Sequence, residues 1–281
     1  MQVIHKIAEL RALINRYKSD NQTIGFVPTM GALHEGHLSL VTQSAQKCSI
    51  TVVSIFVNPL QFNNKEDFEK YPLTLENDLK LLESTGCQVV FAPNVSEMYP
   101  RPVDLTMDIG ALNTVMEGAQ RPGHFSGVCV VVSKLFNIVQ PHFAFFGQKD
   151  LQQLAVIRQM VADLNFPIDI ISCPIARDLN GLALSSRNQR LSPRGREISA
   201  HLFRSLNIAK GKLANGTPTE AVQAGLSYLS EFPEIQPEYL EVVDTIQLKS
   251  LTSHPVTTSY AICIAAYVEG VRLIDNIVVT V

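Results

Sequence analysis

Residues 23–37, Thr23-Ile24-Gly25-Phe26-Val27-Pro28-Thr29-Met30-Gly31-Ala32-Leu33-His34-Glu35-Gly36-His37, set the frame for the whole chain. Thr23–Pro28 is short, apolar and partly β-branched, which predicts a buried strand ended by Pro28. The residues that follow are rich in turn formers and run into His37–Ala45, a helical stretch. A loop that leaves the C-terminal end of a parallel strand and opens a helix is where α/β folds bind phosphates, because the helix amides and dipole face the anion there. Gly31 and Gly36 let backbone amides approach an anion closely. His34 and His37 can donate to phosphate oxygens and, when protonated, offset charge on a leaving group.

Strand and helix alternate outward from this stretch. Upstream, Ile4, Ile7, Ala8, Leu10 and Ile14 have helical period and predict an amphipathic opening helix. Downstream, Ile50–Val57 is the plainest buried strand, followed by a helix over Leu73–Ser84 and a short strand over Gln88–Ala92. A buried helix over Phe125–Val139, a strand over Phe143–Gly147, a helix over Asp150–Leu164 and a strand over Ile168–Cys173 continue the pattern. Near-continuous apolar strands alternating with helices predict a parallel sheet covered on both faces.

Beyond Pro174 the texture changes. Helices are expected over Pro193–Leu213 and Thr219–Leu229, the second with Thr217 as N-cap and Pro218 at its first position. Strands follow over Tyr239–Val243, Tyr260–Val268 and Val271–Val279, the last two joined by the turn Glu269-Gly270. The expected class is therefore α/β: a Rossmann-like parallel-sheet domain over 1–175 and a smaller C-terminal α+β domain over 176–281.

With 281 residues, 46% apolar and 17% charged, the chain can bury a sizeable core. A net charge of −3 offers no global attraction to nucleic acid or an anionic membrane, so neither is expected as a partner. Cys48, Cys87, Cys129, Cys173 and Cys263 are scattered, with no C-x-x-C, and read as reduced buried thiols. The N-terminus has no signal-peptide core, and no apolar run approaches the roughly 18–20 residues of a membrane span. A cytoplasmic protein is expected.

Two histidines three apart in a loop are often merely structural. A metal site is a rival, but His34-Glu35-Gly36-His37 is not H-E-x-x-H and has no third ligand at motif spacing. Neither G-x-x-x-x-G-K-[ST] nor G-x-G occurs, which disfavours a P-loop kinase and a typical nicotinamide dehydrogenase. A polyphosphate also needs cations. Gly147-Gln148-Lys149-Asp150 offers Lys149 as a point charge and Asp150 as an acceptor for ribose hydroxyls or a helix N-cap. Ser185-Ser186-Arg187-Asn188 offers two hydroxyls beside a guanidinium, or simply a capped turn. Arg121-Pro122-Gly123-His124 is a third basic place that could equally be an interdomain or subunit contact.

The string HEGH at 34–37 matches the H-x-G-H signature of the nucleotidyltransferase superfamily. More specifically, PTMGALHEGHLSLV at 28–41, VVSIFVNPLQF at 52–62, MYP at 98–100, RPGHFSGV at 121–128, FFGQKDLQQL at 145–154, RDLNGLALSSRN at 177–188 and RLIDNI at 272–277 resemble the pantoate–β-alanine ligase family, in order along the entire chain.

The resemblance implies that ATP is cut between its α- and β-phosphates. Pantoate forms pantoyl adenylate and pyrophosphate, and β-alanine then displaces AMP to give pantothenate. It implies that Met30, Gly31, Ala32, Leu33, His34, Glu35, Gly36 and His37 lie along ATP, with His34 and His37 on the phosphates and His37 as proton donor. Gly147, Gln148, Lys149 and Asp150 contact ribose and phosphate. Leu184, Ser185, Ser186 and Arg187 form a phosphate loop, and Ala176 touches adenine through its backbone. His37, His34, Lys149 and Arg187 are the catalytic set. Gln61 and Gln153 hold pantoate, Gln61 also bordering β-alanine, with Asn58 and Met98 as further substrate contacts.

The chain departs from the family at Leu184, where methionine is common, a volume-conserving change. Magnesium is expected on the ATP oxygens rather than in a protein cage, and a homodimer is what the family suggests. Two rivals remain. An adenylyltransferase acting on a phosphate acceptor would call for Arg or Lys at Gln61 and Gln153. A degenerate nucleotide-sensing module would have lost a histidine or the lysine.

Overall fold

The structure, a computed structural model, describes residues 1–63, 68–69, 71–253 and 259–280. Its contacts divide the chain into two units, one of Met1–Gly147 with Val156–Cys173, the other of Gln148–Ala155 with Pro174–Val281.

The first unit is a six-stranded sheet of order β1-β4-β3-β2-β5-β6, parallel throughout. Its strands are β1 (Gln2–Ile4), β2 (Ile24–Thr29), β3 (Ile50–Ile55), β4 (Val89–Phe91), β5 (Phe143–Gly147) and β6 (Asp169–Cys173). Helices α1 (Ile7–Ser19), α2 (Glu35–Lys47), α3 (Leu75–Leu82), α4 (Val95–Met98), α5 (Met116–Gln120) and α6 (His124–Val139) connect them, and α7 (Leu151–Asp163) lies between β5 and β6. The chain winds outward from β2 through β3 to β4 and then returns to place β5 on β2's other side. That reversal is the topological switch point at which α/β sheets bind ligands.

Period-two alternation in β2 explains how both faces are covered. Val27 joins Leu33, Val41, Val53, Leu82 and Phe145 in one buried cluster. Phe26 points the other way and meets the edge of Phe136 on α6, with ring centroids 6.3 Å apart. Gly25 lies on the α2 side, and a Cβ there would run into Ser44 Oγ, so α2 packs directly on bare strand backbone. Pro28 does not end β2. It lies opposite Ser54 of β3, and β5 pairs with β2 only at Gly25 and Phe26, so Pro28 needs no second ladder donor.

The second unit packs two helices on an antiparallel sheet β7-β8-β9 (Ile235–Asp244, Tyr260–Val268, Val271–Val279). The predicted helix over 193–213 is two, α8 (Pro193–Ser199) and α9 (His201–Leu213), because the Ala200 amide bonds the carbonyl of Glu197, three residues back rather than four. Helix α10 (Pro218–Leu229) begins with the expected Thr217 cap, completed into a capping box by Glu220. Glu269 and Gly270, at φ 51° and 73°, make the turn between β8 and β9, both residues left-handed as a type I′ turn requires. No helix among the described residues is long and apolar enough to cross a membrane.

Candidate active site

Within the first unit, predicted ATP-contacting residues gather at the C-terminal end of β2. The chain turns sharply there, with Gly31 at φ 82° and Ala32 at φ 50°. Alanine in the left-handed region costs about 1 kcal/mol. Asp78 of α3 offsets it: the amide of Ala32 donates to Oδ2 at 3.0 Å and that of Leu33 to Oδ1 at 2.8 Å. The Thr74 hydroxyl lies 3.2 Å from both carboxylate oxygens, and Asp78 is wholly buried. A buried carboxylate survives only with such partners. Gly31 also lets it approach, since a Cβ there would sit 3.0 Å from Asp78 Oδ2.

His34 follows as the N-cap of α2. Its Nδ1 accepts from the amide of Gly36 at 3.1 Å. In the neutral ring the proton then resides on Nε2, leaving that nitrogen a donor. The amide of His37 donates to the His34 carbonyl at 2.8 Å, and the two rings lie 4.2 Å apart at 46°. Both imidazoles are half-buried at the positive end of a helix, while Glu35 is exposed.

Gln61 lies beside this turn. Its Nε2 is 3.1 Å from Met30 Sδ. Asn58, buried, caps the 3₁₀ turn Pro59–Gln61 and orients it. Its Nδ2 donates to Gln61 Oε1 and to the Gly127 carbonyl, both at 3.1 Å, and its Oδ1 accepts from Tyr99 at 2.7 Å and the Leu60 amide at 3.3 Å. Protein groups thus fill the amide's hydrogen-bonding capacity. His124 Nδ1 sits 2.8 Å from the Gln61 carbonyl, and its Nε2 lies 3.3 Å from Arg121, so within this unit His124 secures the Gln61 turn. Gly127 lets α6 touch that turn, since a Cβ there would run into the Leu60 carbonyl. Met98 is wholly buried.

The remaining predicted ATP contacts lie at the end of β5 in the first unit and, from Gln148 on, in the second. Gly147 closes β5, and Gln148–Asp150 form a 3₁₀ turn into α7, whose first turn carries a half-buried Gln153. Lys149 and Arg187 form no ion pair among the described residues. Leu184 donates its amide to the Ala176 carbonyl at 2.9 Å, and Arg177 bridges Ala183, so 176–184 is a short antiparallel loop. Ser185 caps the 3₁₀ turn Ser186–Arg190, its Oγ accepting from the Arg187 amide at 3.3 Å. Two half-buried hydroxyls and a guanidinium therefore share one turn.

Asp78, Tyr99 and Gly127 carry no sequence signal as site-builders, because each acts across a long stretch of sequence, and His124, read as part of a basic place, secures the Gln61 turn. A buried charge in Leu75–Leu82 carries no local signal of its target. Among the described residues no three His, Cys, Asp or Glu side chains gather to hold a metal ion.

Comparison with known proteins extends these findings. The pantoate–β-alanine ligase family model matches residues 2–278. A pantothenate synthetase of Cytophaga hutchinsonii is 52% identical over 278 residues, covering 98% of each chain. One from Bacteroides fragilis is 49% identical over 281 residues, covering 99% of this chain and 98% of that one. The crystal structure of pantothenate synthetase from Thermus thermophilus superposes with a TM-score of 0.92 at 43% identity, covering 99% of both chains. That of the pantoate–β-alanine ligase from Francisella tularensis, complexed with β,γ-ATP and β-alanine, gives 0.81 at 34% identity, covering 99% of this chain and 97% of that one.

Proposed function

Because the chain belongs to the pantoate–β-alanine ligase family, we propose how its residues divide the work of joining pantoate to β-alanine. The chain is an ATP-binding ligase of pantothenate biosynthesis, and its reaction is the ATP-dependent condensation of the two substrates. The proposed route has two steps. A pantoate carboxylate oxygen attacks the α-phosphorus in line, the bond to the bridging oxygen breaks, and pyrophosphate leaves. The β-alanine amine then attacks the acyl carbon, the bond to AMP breaks, and the amine gives up a proton. A free carboxylate is a poor acyl donor, and AMP is a workable leaving group. The protein's contribution is mainly positioning and charge stabilisation.

The turn Met30–Gly36 lies along ATP, and His34 and His37 donate to its phosphates, with His37 as proton donor to the leaving group. Gly147, Gln148, Lys149 and Asp150 hold ribose and phosphate. Leu184, Ser185, Ser186 and Arg187 close on the phosphates, and Ala176 offers its backbone to adenine. Gln61 and Gln153 hold pantoate, Gln61 also bordering β-alanine. Asn58, with its amide filled, acts by orienting Gln61, and Met98 lines the pantoate pocket. Residues 1–175 carry the ATP and pantoate sites and 176–281 act as a lid domain. Magnesium enters as the metal complex of ATP, bound through phosphate oxygens. The working enzyme is a homodimer of the cytoplasm, whose reducing milieu suits five free thiols.

One observation carries this assignment above the rivals: the neutral amide of Gln61 beside Met30, at the edge of the phosphate-binding turn. Neutral donors hold a carboxylate nucleophile without quenching it, whereas a phosphate acceptor would need a cation there. The test incubates purified protein with ATP, magnesium, pantoate and β-alanine and follows AMP. AMP that depends on both acids supports the assignment. AMP formed equally without pantoate, or none at all, refutes it.

A further inference from the structure

The C-terminal string Arg272-Leu273-Ile274-Asp275-Asn276-Ile277 lies on β9, far in sequence from every residue assigned above. Yet two of its side chains, nearly wholly buried, reach the Gln148–Asp150 turn and Arg177, at the base of the loop that leads to Ser185. Asn276 Nδ2 donates to the carbonyls of Gln148 and Lys149, each at 3.0 Å. Its Oδ1 accepts from Gln148 Nε2 at 3.2 Å. Asp275 takes the Arg177 guanidinium bidentately at 2.6 and 2.9 Å. Arg177 in turn donates to the Gly181 carbonyl at 3.0 Å and stacks on Phe203, 3.6 Å from the ring centroid. One dipeptide thus fixes the backbone that carries Lys149 and the base of the loop that carries Ser185–Arg187.

We infer that Asp275 and Asn276 are positioning residues for the adenylation step, Asn276 setting the backbone of Lys149 and Asp275 the serine–arginine loop. A buried amide spent on two adjacent carbonyls of a single turn leaves that turn one conformation. The backbone from which the Lys149 side chain reaches is then fixed, and a small shift of a charge aimed at a reacting phosphate is costly in rate. The inference rests on Lys149 acting in the first step.

The test is a double-mutant cycle between Asn276 and Lys149, read as pantoate-dependent pyrophosphate release. Asn276→Asp keeps the shape, loses both donors and places a carboxylate against two carbonyls. It should slow pyrophosphate release at least about tenfold and leave the KM for β-alanine within about twofold. In a Lys149→Ala background it should add little, because the group it positions is already gone. Should Asn276→Asp not fold, Asn276→Ser takes its place in the same cycle. Independent, multiplying losses would overturn the inference alone. A Lys149→Ala enzyme of normal rate would overturn both the inference and the assignment of Lys149.

Discussion

At the residue scale, charge and hydrogen-bond geometry make the sharpest statements. His37→Ala and Lys149→Ala should each reduce turnover at least about tenfold, about 1.4 kcal/mol of transition-state stabilisation, as steady-state kinetics would show. A smaller loss would remove that residue from the catalytic set. Asp78→Asn should be nearly as damaging although Asp78 is offered to no substrate. An amide has a single acceptor oxygen, so one of the Ala32 and Leu33 amides would face an NH₂ group and the left-handed Ala32 would lose support. A folded Asp78→Asn protein with unchanged kcat and KM for ATP would contradict this. The cysteines should be silent. Burial pushes the thiols of Cys87 and Cys173 up to about 11 and that of Cys129 to about 12, so they stay protonated, and poor nucleophiles, from neutral pH to pH 8. Iodoacetamide at pH 8 should label them only after urea unfolds the chain, and rapid labelling of native protein would contradict their burial. The residues proposed to act in His34–His37, Lys149 and Ser185–Arg187 stand out in the sequence because each sits in a short local motif. Asp78 and Asn276 do not, since each satisfies backbone groups 45 and 127 residues away or more, and for Asn58, read as a substrate contact, the bond to the Gly127 carbonyl 69 residues away was equally out of sequence reach.

At the element scale, long periodic segments were read within a residue or two, as with α6, β5 and α7. What escaped lacked a periodic signal. Strand β1 is three residues long and exists by parallel pairing with Val89–Phe91, so Ile4 was absorbed into the helix after it. The break at Ala200 keeps helical dihedrals, φ −64° and ψ −20°, and leaves no trace in the residue pattern. Two substitutions test the packing. Gly127→Ala would drive a methyl into the Leu60 carbonyl and displace the Asn58–Gln61 turn. It should cost about 1–3 kcal/mol in urea unfolding and raise the KM for pantoate about tenfold while sparing that for ATP. Equal changes in both constants would place the damage elsewhere. Thr217→Ala removes the cap of α10 far from any assigned substrate contact. It should lower stability by about 1 kcal/mol with kcat unchanged.

At the scale of the whole molecule, a parallel sheet wound outward from β2 and an antiparallel sheet under α9 and α10 provide two scaffolds with different tasks. The first places a turn, two imidazoles and an acceptor amide at one strand end. The second presents a lysine turn and a serine–arginine loop fastened to one strand by Asp275 and Asn276. The alternation of strands and helices was legible because buried parallel strands are apolar throughout. The grouping of Gln148–Ala155 with the C-terminal unit was not, because a unit is defined by contacts between distant residues and not by chain order. The central claim is that pantoate's own carboxylate displaces pyrophosphate. Pantoate labelled with ¹⁸O in both carboxylate oxygens, turned over with ATP and β-alanine and followed by mass spectrometry, tests it most directly. AMP should carry one ¹⁸O and the amide carbonyl of pantothenate the other. Unlabelled AMP, or label in pyrophosphate or inorganic phosphate, would contradict the adenylate route.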